Sequence, residues 1–275
     1  MQAALIPPIP HLEEAKGRKY HLVLAHLLLS NSTYMEFYKK EAENGAFIIL
    51  DNSAHEMTSG QPIWTLLTLA RQVGAKEIVM PDTLFDARET ILGAFEAIML
   101  LSSTAYIDQA QSYRYMFVPQ GTTYKHWREC LDGLSLLIEG TNRTFPKILS
   151  KGITVGLSKD YETWPGGLYR LLNEDVIPWA DQYNAQIHLL GWGRDLWALE
   201  NISEWFGDRV RSVDSAKPYV YATQEIALNP KNGVIPEYPK RPVGYFEQPL
   251  SENRLEIARH NVQVFDQIAG NGVVK

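Results

Sequence analysis

The sequence predicts an α/β protein of 275 residues folded as a single (β/α)8, TIM-type barrel. Three observations predict it. Short, apolar, β-rich runs alternate with longer stretches of helical period, the order expected of parallel strands joined by right-handed helical crossovers. Six of the strand runs finish in polar or glycine-containing peptides, and the carboxyl ends of strands are where sites assemble in barrels and in open α/β sheets. With 45% hydrophobic residues, the chain is also large enough for one extensive core.

The expected strands are Tyr20–Ala25, Ala46–Leu50, Glu77–Met80, Tyr115–Pro119, Ile153–Val155, Gln186–Leu190 and Val210–Val213. Several are almost continuously apolar, as strands covered on both faces are. Between them Ile63, Leu66, Ala70 and Val73 recur at helical spacing, as do Ile91, Phe95, Ile98 and Met99, and then Trp127, Leu131, Leu134 and Ile138. Leu196, Leu199, Ile202 and Phe206 mark a further covering helix, and Leu255, Ala258, Val262 and Phe265 the last. An eighth strand is not evident. It is expected either near the N-terminus or within Asn229–Pro249, a segment rich in proline and lysine that otherwise reads as a surface loop.

Composition narrows the function. A net charge of −6 gives no global sign of nucleic-acid binding but leaves room for a local basic groove. Cys130 is the only cysteine, which excludes a disulfide framework and a zinc site of several thiolates, and suits a reducing cytoplasm. The prolines of Ile6–Pro10 forbid a continuous apolar signal helix, and the run His21–Leu29 is too short to span a bilayer, so no membrane partner is expected. There is no His-Glu-x-x-His, no P-loop, no Gly-x-Gly-x-x-Gly and no Gly-x-Ser-x-Gly, so neither a metal nor any cofactor is expected. His126 and Cys130, at i and i+4, read as a partly buried structural pair.

The chemistry is expected at the strand ends: Asp51-Asn52-Ser53, Pro81-Asp82-Thr83, Pro119-Gln120-Gly121, Val155-Gly156-Leu157, Leu190-Gly191-Trp192-Gly193 and Val213-Asp214-Ser215. Any one of these aspartates has an alternative as the cap of the following helix. Three aspartates and a glutamine at one topological level are harder to assign to capping alone. Lys125, His126 and Arg128 follow Gln120, while Arg209, Arg211 and Lys217 surround Asp214. These form either a solvated face or, at a barrel mouth, a phosphate-holding rim.

Taken in order, these peptides resemble the tRNA-guanine transglycosylase superfamily, whose members exchange guanine for a 7-deazaguanine. Asp51-Asn52-Ser53-Ala54-His55-Glu56 is similar to the family's Asp-Ser-Gly-Gly-Phe-Gln, and Val118-Pro119-Gln120-Gly121 to its Val-Gln-Gly. His188-Leu189-Leu190-Gly191-Trp192-Gly193 resembles Leu-Met-Gly-x-Gly, and Ser212–Ala222 resembles the archaeal Phe-Asp-Ser-Ala-x-Tyr-Ala-Leu-Tyr-Ala. The resemblance implies Asp214 as nucleophile and Asp51 as general acid/base. It implies Asp82 and Gln120 as readers of the base edge, with the Gly156 N–H at the exocyclic oxygen and Leu190, Gly191 and His55 against the base. The family's zinc motif is absent, and the tail beyond Ala222 leaves no room for an appended RNA-binding domain. The chain therefore looks most like the compact, zinc-free relatives in phages and bacteria that place 7-deazaguanines in DNA. The partners implied are DNA and a free 7-deazaguanine, with no cofactor, in the cytoplasm, that of the host if the enzyme is a phage's. Lys159, Arg194, Lys217 and the loop Lys231–Arg241 are the candidates for holding phosphates. The alternatives are a tRNA enzyme of the same chemistry, a retaining glycoside hydrolase using Asp51 and Asp214, and a non-catalytic nucleic-acid-binding barrel.

Overall fold

A computed structural model describes residues 1–192, 196–229 and 240–270. It contains one sheet of eight parallel strands: β1 (Gln2–Leu5), β2 (Tyr20–Leu24), β3 (Phe47–Asp51), β4 (Glu77–Val79), β5 (Arg114–Phe117), β6 (Ile153–Ser158), β7 (Gln186–Leu190) and β8 (Val210–Ser215). Their order, β1-β8-β7-β6-β5-β4-β3-β2, is that of a (β/α)8 barrel wound once around, with β1 beside β2 across a seam that carries no strand ladder.

All seven expected strands are present. β1 is the eighth, lying near the N-terminus and paired with β8 from Gln2↔Ser212 to Leu5↔Ser215. Its four residues, Gln-Ala-Ala-Leu, have little β propensity of their own; burial on β8 holds them extended. At this end of the barrel Tyr245 donates its hydroxyl hydrogen bond to the Ile6 carbonyl at 2.6 Å, and the Leu250 N–H donates to His11 Nε2 at 2.7 Å. The part of Asn229–Pro249 from residue 240 onward is thus anchored to the barrel by a buried tyrosine rather than being a free surface loop. Residues 230–239 of that segment lie outside the described residues.

The covering helices follow the expected periods, with one correction. In Ala87–Leu101 the inward residues are Thr90, Ala94, Ala97, Ile98 and Leu101, while Phe95 and Met99 are exposed. The small residues let this helix approach the barrel and turn the larger apolar ones outward. In Tyr124–Thr144, Trp127, Leu131, Leu134 and Ile138 are all buried as expected. Cys130 is buried too, but His126 is exposed and engages the Thr122 hydroxyl, so the two do not pair. Among the described residues no helix is long and apolar enough to cross a membrane.

Two features of the barrel interior position the site. The ladder between β7 and β8 runs Ile187↔Val210 and then His188↔Ser212, so Arg211 is an extra residue in a β-bulge. The bulge resets the alternation of β8 and lets both Arg211 and Ser212 reach the interior. Arg211 there holds the fully buried Glu77 of β4 through two hydrogen bonds, 2.6 and 3.1 Å, and lies over the rings of Tyr20 and Phe47. Arg211 is therefore not part of a phosphate-holding rim at the mouth. Arg209 pairs with Asp181 on the outside, and Arg128 with Asp175 and Asp132.

Candidate active site

The carboxyl ends of the strands surround a cavity of about 390 Å³, within the range of small-molecule sites. Asp51, Asp82, Gln120, Leu190, Gly191 and Asp214 all line it, as do His55, Lys159 and Lys217. Six strand-end segments that are far apart in sequence converge here because β3 to β8 are neighbours in the sheet and all run the same way. Arg194 lies outside the described residues.

Asp214 is the fifth residue of β8 and 3% exposed. It is not a helix cap. Its Oδ1 accepts from the Gly191 N–H at 3.1 Å and is 3.1 Å from His188 Nε2. Gly191 makes this contact with φ of 72°, a left-handed conformation that glycine adopts without a Cβ penalty. His188, one strand away and fully buried, has its other ring nitrogen 2.7 Å from the Ser212 hydroxyl.

Asp51 ends β3, and its Oδ1 accepts one hydrogen bond, 3.3 Å from the Ser53 N–H. Burial holds its carboxyl well above the usual carboxylate range, and the negative charges of Glu56, Asp82 and Asp214 push in the same direction. The loop after it is braced by Ser53, in a left-handed conformation, whose hydroxyl meets both the backbone N–H and Nδ1 of His26.

Asp82 lies just beyond β4 and is buried, 6% exposed. Asn52 donates to one of its oxygens at 2.6 Å and Gln120 to the other at 2.6 Å. Burial raises its pKa to about 6, against the two amide donors, which favour the charged form. The Gln120 amide has one possible orientation, because its Oε1 accepts from the Phe85 N–H at 3.1 Å and from Tyr161 Oη at 2.8 Å. Its NH2 is thereby turned toward Asp82, leaving one N–H beyond that bond. Asn52 is fixed likewise, its Oδ1 accepting from the Ala54 N–H and its Nδ2 reaching the Met80 carbonyl.

Gly156 is buried in the middle of β6 and does not line the cavity; Leu190 and Val118 cover it. A Cβ at this position would lie 2.9 Å from Leu190 Cδ1, 2.9 Å from Val118 Cγ2 and 3.0 Å from Met116 Sδ. Its place gives Gly156 a packing role, letting Leu190 lie flat as part of the floor. His55 stands exposed at the rim, Lys159 lies across Gly191, and Lys217 is buried in the wall rather than on an outer face.

Asn52, Tyr161, His188 and Ser212 have roles that the sequence did not suggest. The only trace of the last two is that each is a polar residue with an apolar neighbour inside a strand run, His188 after Ile187 and Ser212 before Val213. Chemically, the cavity offers one buried acid whose pKa is raised, one carboxylate held by a backbone N–H and a histidine ring, and a carboxylate–amide pair presenting acceptors beside a donor. No protein-family model matches the chain, and no curated protein is significantly similar to it.

Proposed function

We infer that the chain is a base-exchanging transglycosylase that replaces guanine in DNA by a 7-deazaguanine, through a covalent link between Asp214 and the sugar. The observation that carries this reading is the division of labour among three carboxylates around one cavity. Asp51 is buried beside Glu56, Asp82 and Asp214, all of which favour its proton-bearing form, Asp214 is oriented by the Gly191 N–H and His188, and Asp82 is locked to an amide of fixed orientation.

Guanine presents two adjacent donors, N1–H and the exocyclic amine, beside one carbonyl. The ionised Asp82 supplies two acceptor oxygens for the donors, and the remaining N–H of Gln120 suits the carbonyl. Leu190 provides an apolar floor for the ring. Asp214 then attacks C1′ as the C1′–N9 bond breaks, the electron pair leaving with the purine, which takes the proton of Asp51. In the second half the incoming 7-deazaguanine gives its N9 proton to the Asp51 carboxylate, and N9 attacks C1′ to release Asp214. Two inversions retain the configuration, as in retaining glycosidases. Protons balance over the cycle, and every step uses groups already in the cavity.

What supports DNA as the polymer is the resemblance to zinc-free relatives together with the cations Lys159 and Lys240 along the cavity, which suit phosphates; Arg241 beside them is paired with Glu56. The target guanine must leave the stack to reach a buried Asp82, at a cost of a few kcal/mol. The test is incorporation of radiolabelled guanine into duplex DNA, single-stranded DNA and tRNA by the whole protein. Label in DNA supports the reading. Label in tRNA alone moves the same chemistry to the other polymer, and sugar release from oligosaccharides without base exchange replaces it with a glycoside hydrolase.

A further inference from the structure

A column of polar groups descends from Asp214 into the barrel where an apolar core is usual. Glu77, Arg211, Ser212, His188 and Asp214 follow one another with contacts of 2.6, 3.2, 2.7 and 3.1 Å. Burying such a set is costly unless every member is partnered, so the direction of each hydrogen bond is constrained.

The direction can be deduced from its two ends. A guanidinium only donates, so Arg211 Nε–H donates to Ser212 Oγ. The hydroxyl has one proton and two candidate acceptors, the Tyr20 hydroxyl and His188 Nδ1 at 2.7 Å; it goes to Nδ1 because the other ring nitrogen faces the Asp214 carboxylate, which only accepts. A ring that accepts at Nδ1 carries its proton at Nε2, which points at Asp214 Oδ1. The Gly191 N–H donates to that same oxygen. Both bonds that the described residues make to the carboxylate from β7 and its loop therefore fall on Oδ1, and Oδ2 is the oxygen left for the cavity.

We propose that His188 is a positioning residue for Asp214, held in the Nε2–H tautomer by a one-way chain Arg211→Ser212→His188→Asp214, so that Oδ2 is the attacking atom. The tautomer follows from the barrel geometry alone; its consequence for rate rests on the transglycosylase reading above. The β-bulge at Arg211 makes the chain possible, since it brings Arg211 and Ser212 to the same side of β8. The chain also gives a reason for the Arg211–Glu77 pair, which fixes the guanidinium so that Nε faces Ser212.

The direct test is a 15N spectrum of the full chain with labelled histidine at neutral pH, the His188 signals identified by their loss in His188→Gln. The expected result is a protonated Nε2 and an unprotonated Nδ1. A protonated Nδ1, alone or together with Nε2, overturns the chain whether or not the protein exchanges bases. For the kinetic consequence, His188→Leu removes the donor and His188→Gln replaces it with an amide N–H. Losing one hydrogen bond to a charged group is expected to lower kcat for guanine exchange about 10- to 100-fold in His188→Leu, with KM for the free base unchanged. Partial recovery in His188→Gln supports a positioning role. Equal losses in both variants with a raised KM overturn it in favour of simple packing.

Discussion

Guanine binding should weaken about tenfold between roughly pH 7 and pH 5, with Asp82 as the titrating group. The reasoning starts from burial, which raises this carboxyl to about 6 even though Asn52 and Gln120 donate to it. One pH unit above that value the group is about 90% ionised and one unit below about 10%, and only the ionised form offers two acceptors to guanine N1–H and the amine. The sign for folding is opposite. A carboxyl raised from 3.8 to about 6 takes up protons in the fold, so the ligand-free protein loses stability as pH rises through that interval, by on the order of 3 kcal/mol from this group. The assay is isothermal titration with free guanine at several pH values on the wild type and on Asp82→Asn, which should bind weakly and without the pH dependence. Affinity that stays flat across the window in the wild type, or a pH dependence that survives in Asp82→Asn, refutes the assignment.

Gly156→Ala should push Leu190 toward the cavity. Overpacking of this kind costs about 1–3 kcal/mol, read by urea unfolding, together with a higher Kd for guanine; unchanged affinity would show that the floor has room to give. Glu77→Gln leaves Arg211 buried without its counter-charge, and a loss of about 3–5 kcal/mol in the same unfolding assay is expected, whereas a loss under 1 kcal/mol would mean that water reaches the pair. Lys159→Ala should lower the salt dependence of DNA binding by about one phosphate contact and leave free-guanine binding unchanged; an unaltered salt slope would remove Lys159 from the DNA surface.

The architecture was legible because parallel strands covered on both faces and helices with one apolar stripe leave different periods in the sequence. β1 was not, since Gln2–Leu5 is short, alanine-rich and extended only because β8 pairs with it. Phe95 and Met99 misled for the opposite reason. They sit at helical spacing, but alanines occupy the face that meets the barrel. At the site, the convergence of Asp51, Asp82, Gln120 and Asp214 could be anticipated from their shared position after strand runs. The supporting column could not. Arg211 three residues before Asp214 reads as a charge on a loop or an outer face, and only the bulge, invisible in the residue pattern, carries it inside. Gly156 shows a further limit: the sequence marks a glycine at a strand end, while its reason lies in the Leu190, Val118 and Met116 side chains packed against it from neighbouring strands.

The central claim is that Asp214 forms a bond to the sugar. Incubating the protein with a guanine-containing DNA oligonucleotide, denaturing the mixture and running it on a gel measures that bond directly. A band shifted by the mass of the oligonucleotide is predicted for the wild type, lost in Asp214→Ala and released from the wild-type adduct by added free guanine. Guanine exchange into DNA with no such band, or a band that persists in Asp214→Ala, would contradict the account.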